Sequence, residues 1–117
     1  MKKYLFVCQH NFIRSRYGAE FFRGFLRGEN IEGKVYSAGI GLVSILFGRR
    51  VNKRLLAKMD WVFVMEKYMK NYLIKKFKTN EKKIVVLNIK DIYGPGKSKD
   101  VDDFDKLLEK KNFGKYL

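Results

Sequence analysis

An apolar run that ends abruptly at a cysteine constrains this chain more than any other feature. In YLFVCQHNFIRSR, Tyr4 to Val7 read as a buried strand and Cys8 closes it. Five residues follow, then Arg14 and Ser15, and then a segment with helical spacing. A loop between a buried strand and a helix points to an α/β sheet. A helix that starts just after such a loop turns its unpaired N–H groups and the positive end of its dipole toward anything held there. That makes the loop an anion site. It contains a thiol that such a field favours as thiolate, and a guanidinium suited to two-point contact with phosphate oxygens. A nucleophile inside a phosphate cradle suggests covalent phosphoryl transfer.

The rest of the chain repeats the alternation. Lys3 to Val7, Lys34 to Ala38, Trp61 to Met65 and Lys83 to Leu87 are short apolar runs rich in β-formers, and each reads as a buried strand. Between them, Ser15 to Arg27 places Gly18, Phe21, Phe22, Phe25 and Leu26 at helical spacing, with Ser15 positioned to cap it and Gly28 to end it. Gly18 lets that helix lie close to the sheet. Arg49 to Met59 reads as a short helix burying Val51 and Leu55. Glu66 to Phe77 is amphipathic, with Met69, Tyr72, Leu73 and Phe77 on one face. Lys90 to Lys99, with Gly94, Pro95 and Gly96, is a loop, and Asp100 to Lys111 closes the chain as a helix. The apolar, glycine-bracketed stretch from Ile40 to Gly48 reads as core or a covering loop, with a pocket wall or a partner patch as the alternative. Strands alternating with helices give a parallel sheet with helices on both faces. In such sheets ligands bind beyond the carboxyl ends of the strands, which is where Cys8 falls.

Length and charge set the bounds. A chain of 117 residues forms one domain, and 46% hydrophobic content makes it globular rather than disordered. One cysteine excludes an internal disulfide, the apolar start is too short for a signal peptide, and no run spans a membrane. A soluble cytoplasmic protein without membrane association is expected. A single His and a single Cys leave no ligand-spaced cluster, so neither metal nor cofactor is expected. The net charge of +14 would steer anionic ligands toward a cationic cleft, and also fits an acidic partner. Nucleic acid is the weaker reading of the same charge and stays open.

CQHNFIRS at the start of the chain resembles the catalytic loop of the low-molecular-weight protein tyrosine phosphatases. The resemblance places Cys8 as nucleophile, Asn11 as the residue shaping the loop, Arg14 as the phosphate ligand and Ser15 as the hydroxyl bonded to the thiolate. Ser37-Ala38-Gly39 after the second strand and Asp60 before WVFVM match as well. His10 departs from a usual Gly, Ile13 from a common Cys and Arg16 from a usual Pro. The resemblance implies a general acid on the loop after the fourth strand, where this chain has Asp91-Ile92-Tyr93 in place of Asp-Pro-aromatic. Asp100 is the second choice, although Asp100, Asp102 and Asp103 also suit a helix start. The expected site is therefore Cys8, Arg14 and Asp91 in catalysis, with Gln9, His10, Asn11, Phe12, Ile13, Ser15 and Tyr93 around the substrate.

The expected fold is α/β, a three-layer sandwich with a four-stranded parallel sheet in the order 2-1-3-4. It forms a single domain over residues 1–117. The expected activity is hydrolysis of a phosphorylated protein or a small aryl phosphate, phosphotyrosine first, through a cysteinyl-phosphate. An arsenate reductase uses the same loop but needs further thiols, and Arg14 argues against a phosphocysteine transport subunit. From another class, a phosphate- or phosphoprotein-binding module without turnover fits the same loop and the basic surface.

Overall fold

The computed structural model describes residues 1–11, 13–41, 44, 49–92 and 101–117, with residue 101 described by its backbone alone. Its centre is β1 (Lys2–Cys8), whose residues from Tyr4 onward are all buried. β1 pairs in parallel with β2 (Gly33–Gly39) on one side and β3 (Trp61–Val64) on the other. β4 (Ile84–Val86) lies outside β3, giving the order β2-β1-β3-β4 expected from the sequence. The ladder runs on past β4, with Leu87 N–H on Val64 O and Ile89 N–H on Met65 O.

Side chains alternate across β1, so Tyr4 and Phe6 share one face of the sheet. On that face Phe22, from α1 (Arg14–Gly28), sits 4.5 Å from the Tyr4 ring and 5.7 Å from the Phe6 and Phe63 rings, centroid to centroid. Phe113, in a terminal 3-10 turn (Phe113–Tyr116), closes the cluster 5.3 Å from Phe22. α1 reaches this depth because of Gly18: a Cβ there would lie 2.8 Å from the Phe6 ring. Truncating Phe22→Ala is expected to cost about 3–5 kcal/mol, much of the margin of a small domain. Urea unfolding measures it, and a loss under about 1 kcal/mol would contradict this packing.

The remaining helices are α2 (Lys53–Lys58), α3 (Lys67–Phe77) and α4 (Val101–Glu109). Helices cover both faces of the sheet. α3 buries Met69 and Leu73 while Lys67, Lys75, Lys76 and Lys78 stay exposed. Phe104 and Leu108 bury one face of α4. No helix among the described residues is long and apolar enough to cross a membrane.

Two local expectations are corrected, the cap of α1 and the start of α2. Ser15 does not cap α1, which already begins at Arg14 after Ile13 without a side-chain cap. Gly28 is the last residue of α1, as expected, and the left-handed turn that follows falls on Asn30 (φ 57°). The helix expected from Arg49 starts at Lys53, because Arg49 and Arg50 are still tied to the end of β2 and Asn52 caps α2. Gly39 donates to Arg49 O and accepts from Val51 N–H, and Asn52 Oδ1 accepts from Leu55 N–H at 2.8 Å. Most of the stretch 40–48 lies outside the described residues; of those described in it, Ile40 and Ser44 are buried. Asp100 and all of the loop after residue 92 also lie outside them.

Candidate active site

The carboxyl ends of β1, β2 and β3 and the segment after β4 meet at one edge of the sheet, around Cys8. Its sulfur belongs to a residue only 3% exposed and has two partners, the Asn11 N–H at 3.1 Å and the Ser15 hydroxyl at 3.0 Å. The Asn11 amide reaches back to the sulfur because Asn11 adopts φ 54°, a left-handed conformation that Asn tolerates better than most residues. Its Oδ1 in turn accepts from Ser15 Oγ at 2.8 Å.

This triad has one hydroxyl proton for two neighbours, and that links it to the charge on sulfur. With a thiol, the S–H donates to Ser15 Oγ and the hydroxyl donates to Asn11 Oδ1. With a thiolate, the hydroxyl must turn to the sulfur, and the Asn11 amide must present its NH2 to Ser15 Oγ. Asn carries both an acceptor and a donor, so its amide can serve Ser15 Oγ in either pattern.

The loop is anchored from behind by the end of β2. Ile40 N–H donates to Cys8 O, Gly41 N–H to Gln9 O, and the buried Ser44 hydroxyl also to Gln9 O at 3.2 Å. Gly39, level with Cys8 in the sheet, makes this approach possible. A Cβ there would stand 2.0 Å from Ser44 Oγ and 2.6 Å from the Asn11 amide nitrogen.

Arg14 opens α1 and is 4% exposed. Its Nη1 donates to Glu66 Oε2 at 2.7 Å and to Ile89 O at 2.8 Å. Both bonds use one nitrogen, and Nε lies 3.9 Å from Asp91 Oδ1. The guanidinium is thus fixed at one corner by Glu66, two residues past β3, and by the β4 extension. Asp91 is 53% exposed and stands beside it. The first turn of α1 has no side-chain cap, so its early N–H groups are left for the loop or a bound anion. Tyr68, from the first turn of α3, donates to Gln9 Oε1 at 2.8 Å. Burial and the Glu66 charge raise its phenol above the usual tyrosine range, against the pull of Arg14.

Cys8, Asn11, Arg14, Ser15 and Asp91 are therefore brought together. Gln9 is half-buried and held by Tyr68, while His10 is exposed. Ile13 is buried and its carbonyl accepts from Tyr17 N–H. Phe12 and Tyr93 lie outside the described residues. Sequence reasoning missed Glu66, Tyr68, Ser44 and the Ile89 carbonyl. A signal existed for Glu66, which follows the third strand at the edge where Cys8 ends the first. Among the described residues no group of His, Cys, Asp or Glu could hold a metal ion.

No family model and no curated protein sequence matches the chain. Its fold is nonetheless shared with solved structures. YfkJ from Bacillus subtilis superposes with a TM-score of 0.74 at 21% identity, over 93% of this chain and 88% of that one. A low molecular weight protein tyrosine phosphatase from Bacillus subtilis gives 0.71 at 22% identity, over 91% of each chain. A mutant of the YwlE arginine phosphatase with a phosphorylated active site serine gives 0.68 at 19% identity, over 92% and 86%. The chain has the fold of the low molecular weight protein tyrosine phosphatases.

Proposed function

We propose that this protein is a cysteine-dependent phosphatase that hydrolyses aryl phosphate monoesters, with protein phosphotyrosine as substrate. The observation that carries the reading is the constellation at the end of β1. A buried sulfur with two hydrogen-bond partners sits in a loop with an uncapped helix start and a fixed guanidinium. An anion held there meets donors that need no rearrangement as charge shifts in the transition state.

In the first step Cys8 Sγ attacks phosphorus in line with the departing oxygen. The S–P bond forms as the P–O bond breaks, and the Asp91 carboxylic acid gives its proton to the leaving phenolate oxygen. Arg14 and the loop N–H groups hold the three equatorial oxygens. In the second step water attacks phosphorus and Asp91 takes its proton. The S–P bond breaks, inorganic phosphate leaves and the thiolate returns. Glu66 orients Arg14 throughout, since the bond on Nη1 leaves the rest of the fork for the ligand.

Asp91→Ala is expected to lower turnover of a phosphotyrosine peptide about 10²–10⁴-fold, the usual worth of a general acid. The loss with p-nitrophenyl phosphate should be smaller, because that leaving group departs without a proton. Equal losses on the two substrates would count against Asp91 as the acid. The choice of aryl phosphate rests on the shared fold and on the Tyr68 ring beside the loop. Because one neighbour is an arginine phosphatase, the deciding assay compares phosphotyrosine and phosphoarginine peptides. Phosphate binding without turnover of either would replace this reading with a phosphate-binding module.

A further inference from the structure

A cleft lined by arginines adjoins the Cys8–Ser15 loop at Asn11. We propose that the cleft between α1 and the edge strand β2 binds a small phosphate-bearing polyanion of the diphosphate class. The cleft has a volume of about 330 Å³ and is lined by Arg16, Arg23, Arg49, Tyr36, Ser37 and Asn11. That volume is at the lower end of small-molecule sites and more than one phosphate needs.

Three arginines line the cleft, from two separate stretches of chain. Arg16 and Arg23 are seven residues apart on α1 and so share a face of the helix. Arg49 comes from beyond the end of β2. Two of the three are held in place. Arg23 donates to Val35 O at 2.7 Å and pairs with Glu20. The Arg49 guanidinium lies 5.3 Å from the centre of the Tyr36 ring. Among the described residues Glu20 is the one carboxylate in an ion pair with these arginines, so the cleft keeps about two positive charges uncompensated.

The choice of cation is informative. The chain has 19 lysines and only 7 arginines, yet every cation lining this cleft is an arginine. A basic surface kept for solubility would draw mostly on the lysines. A planar fork of donors suits phosphate oxygens in a way a lysine ammonium does not.

The cleft is not an extension of the catalytic loop. Residues 35–37 precede Gly39, which is level with Cys8, by two to four positions. At strand rise this puts them roughly 7–13 Å along the sheet edge from the sulfur's level, too far for one phosphate to reach both. Asn11 is the shared wall, with its amide N–H on Cys8 and its residue also lining the cleft.

The test is a titration of the ¹⁵N-labelled full chain with pyrophosphate, followed residue by residue by NMR. Loop amides 9–15 report the catalytic site, and the amides of residues 35–37 with the Arg16 and Arg49 Nε signals report the cleft. Wild type should respond in both sets. The Arg16→Gln/Arg49→Gln variant, which changes two exposed side chains, should keep the loop response and bind at the cleft roughly tenfold more weakly per guanidinium removed. Arg16→Gln alone serves if the double variant fails to fold. Inorganic phosphate should bind the cleft at least about tenfold more weakly than pyrophosphate, and ADP about as well as pyrophosphate. Responses confined to residues 9–15, or cleft responses unchanged in the variant, would overturn the proposal. Either result leaves the phosphatase reading standing, since the two sites are read separately.

Discussion

Cys8→Ser is expected to abolish turnover of p-nitrophenyl phosphate while the protein stays folded and still binds phosphate. The substitution replaces sulfur by a smaller oxygen that can accept from the same Asn11 N–H and meet the same Ser15 hydroxyl. The loop should therefore keep its hydrogen bonds and lose the proposed nucleophile. Removing a nucleophile from a unit of this kind costs roughly 10⁶-fold in turnover. Steady-state assay in the presence of chelator reads the loss, and phosphate protection against thermal unfolding shows that the cradle survives. Activity within about tenfold of wild type would mean that sulfur is not the attacking atom.

Arg14→Ala is expected to lower turnover about 10³–10⁵-fold, the worth of a guanidinium at a phosphoryl transition state. A structural cost accompanies it. Arg14 is buried and holds Glu66 and the Ile89 carbonyl, so truncation leaves a carboxylate without its partner. Arg14→Lys separates the two effects. It keeps the positive charge beside Glu66 but loses the planar fork, so folding should be largely retained while turnover stays far below wild type. Full activity in the lysine variant would reduce the role of Arg14 to charge alone. Phosphate affinity measured beside turnover completes the comparison, because a ligand of the transition state affects kcat more than ground-state binding.

The sequence made the frame of this fold legible because buried parallel strands advertise themselves. Tyr4 to Val7 and Trp61 to Val64 are continuous apolar runs, and such strands must be covered on both faces. The arrangement of the loop was legible too, since Cys8, Asn11, Arg14 and Ser15 lie within eight residues and their spacing largely sets their geometry. Asn11 in a left-handed conformation follows from the kind of turn that brings its amide back to Cys8. What could not be read depends on contacts across the chain. Glu66 is 52 residues from Arg14, and the Ile89 carbonyl is 75 residues away. Neither has a motif of its own, because any carboxylate or carbonyl at the right edge of the sheet would serve.

Boundaries erred for a similar reason. Ser15 has the chemistry of a cap, but the sulfur and Asn11 occupy its hydroxyl, and the helix begins one residue earlier. Arg49 and Arg50 have helix propensity, but backbone bonds to Gly39 hold them to the end of β2. Tertiary hydrogen bonds overrode local preference in both places. The arginine cleft belongs to this class as well: Arg16, Arg23 and Arg49 look like scattered surface charge until β2 and α1 are packed together.

The most direct test is to look for the covalent intermediate itself. Wild type and Asp91→Ala would be mixed rapidly with p-nitrophenyl phosphate, quenched in acid, and examined by mass spectrometry of the peptide that contains Cys8. Attack by sulfur predicts one phosphate on Cys8, in greater yield in Asp91→Ala, where the base for the second step is missing. Turnover with no phosphate on Cys8 in either protein, at quench times that span the first cycle, would contradict it.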